Sequence, residues 1–182
     1  MDETSTFVAA FRSWTPEWVI AIRLGLACVL GGLIGLEREL GRHDAGIRTH
    51  ILVAMGSCVF TLVAWEIYQH IRAIEQPATG DPIRIIEAVT AGAGFLAAGI
   101  IFQSGSRVHG LTTGAGVWTA AAIGVACGAG AYAIAGITTV IVLLVLFGLQ
   151  LLKERLGWDD TPPPDDRLNT PAGPPDPKPP SK

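Results

Sequence analysis

Residues 137–152 read Ile-Thr-Thr-Val-Ile-Val-Leu-Leu-Val-Leu-Phe-Gly-Leu-Gln-Leu-Leu, and this stretch decides the fold. Its polar members are Thr138, Thr139 and Gln150. A helix on the surface of a soluble protein carries a polar stripe that recurs about every 3.6 residues. No such stripe runs through this segment, which begins near Ala129 and closes on Lys153, Glu154 and Arg155. Four more segments are built alike: about 18–36, 51–68, 83–102 and 111–127. The first is apolar apart from Arg23 and is close to the ~20 residues that cross the hydrocarbon of a bilayer. Trp14 and Trp18 stand at its start, where an aromatic belt is expected. Five all-round apolar segments in one small chain predict an all-α membrane protein with about five transmembrane helices.

Composition agrees. Of 182 residues, 49% are hydrophobic and 16% charged, and the mean hydropathy is +0.43. Soluble domains carry about 25% charged residues. A net charge of −3 without a basic stripe excludes a nucleic-acid partner. Cys28, Cys58 and Cys127 sit in apolar runs at unrelated spacing, neither a zinc pattern nor a disulfide framework. The first residues, Met-Asp-Glu-Thr-Ser, are acidic and do not read as a secretory signal. Residues 1–17 form a polar N-terminal segment, 18–155 the transmembrane domain, and 156–182 a Pro-rich tail expected to be disordered with polyproline II character.

Orientation follows Lys and Arg in short loops. Arg38, Arg42 and Arg48 in the first loop, Arg107 in the third, and Lys153 and Arg155 after the last span share one side of a five-span protein. Arg12, Arg72 and Arg84 fall on the other. The N-terminus is therefore expected outside and the C-terminus in the cytoplasm. Arg23, Glu66 and Glu87 then lie within the spans near the outer face. Charge in lipid is costly and calls for a partner, so Arg23 is expected to meet Glu87, Glu66 or both.

Lipid supplies no hydrophobic drive between helices, so close contact calls for small residues. Gly31 and Gly35 have GxxxG spacing. Gly92, Gly94 and Gly99 lie in the third span, and Gly116, Ala120, Gly124 and Gly128 lie four apart on one face of the fourth. A turn at Gly128–Gly130 joins the last two spans.

The densest polar cluster is residues 35–50, Gly-Leu-Glu-Arg-Glu-Leu-Gly-Arg-His-Asp-Ala-Gly-Ile-Arg-Thr-His. Thr49 is placed to cap the second span. Carboxylates with water suit Mg²⁺. The spacing of Glu37, Glu39 and Asp44 matches no metal motif, however, and the arginines compete for them. The expectation is a salt-bridge network, with no cofactor assigned and the metal question open.

Here the sequence resembles a known family. Gly35-Leu36-Glu37-Arg38-Glu39 followed by Ala45 to Val53, the block Gly92 to Ile101, and Val108 to Thr113 with Trp118 and Ala121 to Gly124 are similar to three blocks of the MgtC/SapB membrane proteins of bacteria. The resemblance covers roughly residues 20–152. It implies a multi-pass protein of the bacterial inner membrane; separately, the polar loop shows no nucleophile–base pair or catalytic motif, so no enzymatic activity is expected. The implied role is regulatory and tied to magnesium homeostasis or growth in low magnesium. The rival reading is a Mg²⁺ transporter or channel component. Matched positions are Glu37, Arg38, Arg48, Thr49, His50, Gly92, Gly94, Phe95, Gly99, Thr112 and Thr113. The family commonly has Gly where Ala98 stands, and its longer members carry a soluble C-terminal domain where this chain has its Pro-rich tail, so the chain resembles the short SapB-type form. Loops one and three share a side, so Glu37, Arg38, Arg48, Thr49 and His50 are expected to meet Gln103, Arg107, His109, Thr112 and Thr113 in one cytoplasmic polar site. Expected partners are the lipid bilayer and a further helix, from another membrane protein or a second copy.

Overall fold

The computed structural model describes residues 13–74, 83–104 and 107–156. The Pro-rich tail beyond Leu156 and the first twelve residues lie outside that range. Among the described residues there are five helices: α1 (Glu17–Leu40), α2 (Ile47–Ile74), α3 (Ile83–Ile100), α4 (Leu111–Gly128) and α5 (Tyr132–Leu156). All five are long and apolar enough to cross a membrane. Large apolar side chains such as Phe60, Phe95, Leu144 and Phe147 are more than half exposed, as lipid-facing residues are.

Helices α1, α2 and α5 run beyond their apolar runs. α1 continues through Glu37–Leu40, and α2 starts at Ile47, four residues before the apolar run. Polar residues at a membrane interface keep helical hydrogen bonds while their side chains reach water, so the first charge does not end a helix. At ~1.5 Å per residue the 28 residues of α2 span about 42 Å, longer than the ~30 Å hydrocarbon layer.

α1 and α2 form an antiparallel pair whose backbones nearly touch. A methyl group added at Gly31 would stand 2.8 Å from the His50 carbonyl oxygen, and one at Gly35 would stand 2.6 Å from Ile47 Cα. α4 runs alongside α2 in the same direction. A methyl at Gly124 would meet the Ala54 backbone and Ser57 Cβ, the latter at 2.9 Å, and one at Gly128 would stand 2.7 Å from the Cys58 carbonyl oxygen. α4 is accordingly the most enclosed helix, buried from Thr113 to Gly128 along the face that carries Gly116, Ala120 and Gly124. Ile34, Ala54, Cys58, Ile123 and Cys127 fill the core, joined by Ala135 of α5. α5 continues past Phe147 into a second unit, Gly148–Lys182, of which the helical residues to Leu156 are described.

The third span behaves differently. Gly92, Gly94 and Gly99 have nothing within 4 Å of where a side chain would grow. α3 instead buries Ala93 and Ala97, one turn apart, and a methyl on Gly114 of α4 would stand 2.9 Å from the Ala97 carbonyl oxygen. On the third span, alanine makes the close contact and the glycines stand clear of any neighbouring backbone.

The span also ends at Ile100, two residues early. A short antiparallel hairpin follows, β1 (Phe102–Ser104) paired with β2 (Arg107–His109), with Phe102 opposite His109 and their rings stacked 5.3 Å apart. Gly110 then turns the chain into α4 at φ 80°, and a side chain there would run into the Ile100 carbonyl. Only glycine meets both demands.

Replacing Gly35 with Ala should lower stability by about 1–3 kcal/mol, the usual cost of overpacking a close contact. Gly94→Ala should leave stability unchanged or raise it, since alanine is the better helix former. Thermal unfolding of both variants in detergent checks the contrast; equal effects would contradict the packing described.

Candidate functional site

Four polar residues gather where α1 ends and α2 and α4 begin. Glu37 and Arg38 are neighbours on α1, and their side chains pair through two hydrogen bonds: Nε donates to Oε2 at 2.5 Å and Nη2 to Oε1 at 2.8 Å. Both side chains are largely buried, Arg38 at 5% exposure and Glu37 at 13%. A two-point fork of this kind suits the planar guanidinium. The loop behind it is tight. His43 N–H bonds back to the Arg38 carbonyl at 3.1 Å and Arg42 N–H to that of Glu39 at 3.1 Å, the bond pattern of a Schellman closure. Arg42 occupies its left-handed position, φ 55°, where glycine is usual.

Glu39 caps α2. Its Oε2 accepts a hydrogen bond from Ile47 N–H at 3.0 Å, satisfying one of the free donors of the first turn. Gly46 leaves room for that carboxylate, which any side chain would strike. Because the helix starts at Ile47, Thr49 lies inside it and does not serve as its cap.

His50 is fully buried. Its ring lies in the space left by glycines on both neighbours: its Cβ faces Gly35, and a methyl on Gly116 would stand 3.2 Å from Nε2. Nδ1 lies 2.9 Å from the Gly46 carbonyl oxygen, an acceptor, so Nδ1 carries the proton and donates. Among the described residues Nε2 has no hydrogen-bond partner, so a proton there would be buried without an acceptor, and the ring is assigned the neutral tautomer with its lone pair on Nε2. Thr113, buried, lies one turn before Gly116 on the same face of α4.

The other expected members are placed apart from this group. Arg48 and Thr112 are exposed and Thr49 is half-buried. Gln103 and His109 lie in the exposed hairpin, and His109 stacks on Phe102. The side chain of Arg107 lies outside the described residues. Glu37 pairs with its own neighbour, Arg38, rather than with Arg48.

The intramembrane charges part company as well. Arg23 meets neither Glu66 nor Glu87. Its Nη1 donates to the Gly128 carbonyl at 2.7 Å and its Nε to the Tyr132 hydroxyl at 3.3 Å. The C-terminus of α4 concentrates partial negative charge on its free carbonyls, so a cation there finds a partner without a carboxylate. The turn itself closes with Ala131 N–H on Ala126 O and Gly130 at φ 78°. Glu66 holds the approach to α1: Trp14 N–H donates to Oε2 at 2.7 Å and Thr15 N–H to Oε1 at 2.9 Å. Glu87 is exposed on α3.

The sequence profile of the MgtC family matches residues 24–155. Among curated proteins the chain is 40% identical over 145 residues to protein MgtC of Brucella abortus strain 2308, covering 79% of this chain and 56% of that protein. It is 39% identical over 142 residues to YhiD of Escherichia coli K12, which is named as a candidate magnesium transporter, covering 78% and 65%. It is 35% identical over 148 residues to protein SapB of Bacillus subtilis strain 168, covering 81% and 63%. The chain thus spans about six tenths of the length of these relatives. No solved structure matches it.

Breaking one side of the buried Glu37–Arg38 fork leaves a charge without its partner, at a typical cost of about 3–5 kcal/mol. Glu37→Gln and Arg38→Gln should each destabilise the protein, and the double variant should be more stable than the sum of the two losses predicts. A double-mutant cycle on thermal unfolding reads this; additive losses would contradict the pairing.

Proposed function

The chain belongs to the MgtC family, and from that premise we propose that it is a regulatory protein of the bacterial inner membrane that supports adaptation to low magnesium. In this reading the N-terminus lies outside, and the Glu37–Arg38–His50–Thr113 cluster faces the cytoplasm, where it engages an ion, a small ligand or a partner's helix. The protein performs no catalytic step.

The observation that carries this reading is where polarity lies in the bundle. The buried polar cluster occupies one end, and the core beyond it holds Ala27, Ala54, Cys58, Ile123, Gly124 and Cys127 with two buried hydroxyls, Ser57 and Thr139, and among the described residues no buried carboxylate. A conducting path for a divalent cation needs oxygen ligands at successive depths. The two other acidic residues of the spans do not extend the cluster inward. Glu66 is committed to backbone amides before α1, and Glu87 is exposed on α3. The rival reading, Mg²⁺ transport, rests on the name that the Escherichia coli relative carries.

Two measurements on the same protein separate the readings. The purified chain in liposomes should admit no more Mg²⁺ than empty liposomes, followed with an internal dye. Its expression should restore growth in low magnesium to a strain that lacks its own copy, and His50→Ala or Glu37→Gln should abolish that rescue while the protein still reaches the membrane. Flux that Glu37→Gln removes would make the protein a transporter and overturn the proposal.

A further inference from the structure

Arg23 lines a second pocket, at the opposite end of the bundle from the His50 cluster. The pocket has a volume of about 320 Å³ and is bounded by Arg23 of α1, Trp65 of α2, Ile83 and Ile86 of α3, and Gly128 and Ala129 where α4 ends. Its walls are apolar apart from the guanidinium and the backbone. Arg23 stands six residues into α1, about 9 Å along the helix from Glu17.

The guanidinium is only partly used. It has five N–H donors. One goes to the Gly128 carbonyl and one to the Tyr132 hydroxyl, and both acceptors are neutral. Among the described residues no carboxylate lies within ion-pair distance of it. Glu66, on the same end of α2, has both oxygens turned to the amides of Trp14 and Thr15. Helix-terminal carbonyls orient the cation without neutralising it. A positive charge within a membrane-spanning segment is costly until an anion joins it.

We propose that this pocket binds a phosphate anion, and that the anion is the phosphodiester of an anionic phospholipid. The guanidinium fork matches phosphate oxygens. Arg23 has donors left for a two-point contact, while Gly128 and Tyr132 hold the group in place. Trp65, Ile83 and Ile86 give the glycerol and upper acyl carbons an apolar wall, and Trp65 belongs to the residue type that sits at headgroup level. A zwitterionic lipid brings its own ammonium and neutralises the pocket less well. A free phosphate ion shares the anionic chemistry but leaves the isoleucine wall without a function.

The test uses the full chain, purified in a neutral detergent, stripped of lipid and titrated with phosphatidylglycerol, phosphatidylcholine or inorganic phosphate. Native mass spectrometry counts the bound lipid. The wild-type protein should retain one phosphatidylglycerol per chain at least tenfold more tightly than phosphatidylcholine, and millimolar inorganic phosphate should not displace it. Arg23→Gln should abolish that preference. Ile86→Trp fills the pocket without touching the Arg23 hydrogen bonds and should weaken phosphatidylglycerol tenfold or more; it decides the matter alone if Arg23→Gln does not purify as a folded protein. Equal retention of the two lipids, wild-type binding by Ile86→Trp, or displacement by inorganic phosphate would each overturn the lipid assignment.

Discussion

Backbone contact between helices is the constraint on which the rest of this structure depends. In lipid, burying an apolar side chain against another helix gains little over burying it in acyl chains, so association rests on close packing. Gly31 and Gly35 bring α1 against α2, and Gly124 and Gly128 bring α4 against the other side of α2. The three helices leave no room for a methyl group at these points. His50 occupies the space created at one end, between Gly35 and Gly116. The polar cluster is therefore a product of the packing: the same small residues that join the helices exclude water from the imidazole and from the Glu37–Arg38 pair. The chemistry and the architecture have one origin.

How much of this the sequence discloses depends on what each residue's signal records. The five spans are legible because an apolar run without a stripe has few other solutions. Their ends are less so: Glu37 and Arg38 read as continuing the apolar helix, but Glu39 and Leu40 read as loop residues, and α1 runs through them too. Spacing also cannot say which way a glycine faces. Gly31 and Gly35 read much like Gly92 and Gly99, but the first pair meets another backbone and the second meets open space. The partner of Arg23 was beyond reach for a different reason. A carbonyl at a helix end carries no side-chain signature, so a search among Glu66 and Glu87 misses it. Two features did leave traces. Gly105-Ser106 between Phe102-Gln-Ser and Arg107-Val-His is a hairpin signal. Gly46 seven residues after Glu39 marks the space that the capping carboxylate takes.

The two ends of the bundle use charge in opposite ways. Where α1 ends, a guanidinium and a carboxylate close on each other, and a neutral imidazole turns its lone pair toward α4. Where α1 begins, Arg23 and Glu66 each take backbone partners and leave one another alone. Between them the core carries no buried charge among the described residues, its buried polar groups being the hydroxyls of Ser57 and Thr139. This division favours a protein that receives signals at its faces over one that passes ions between them. The charges are held locally, with little polar connection across the bilayer: Glu37 and Arg38 neutralise each other as neighbours in sequence, backbone amides hold Glu66, and the end of α4 orients Arg23 without neutralising it.

The most direct test of this account is the environment of the His50 ring in a lipid bilayer, read by solid-state nuclear magnetic resonance of the labelled protein. The packing described places Nε2 against Gly116 and the proton on Nδ1. The prediction is a through-space correlation between His50 Nε2 and the Gly116 backbone, an Nε2 shift typical of an unprotonated nitrogen, and an Nδ1–H that does not exchange readily with water. A ring that exchanges freely with water and shows no contact with α4 would contradict the glycine-built core and the site that depends on it.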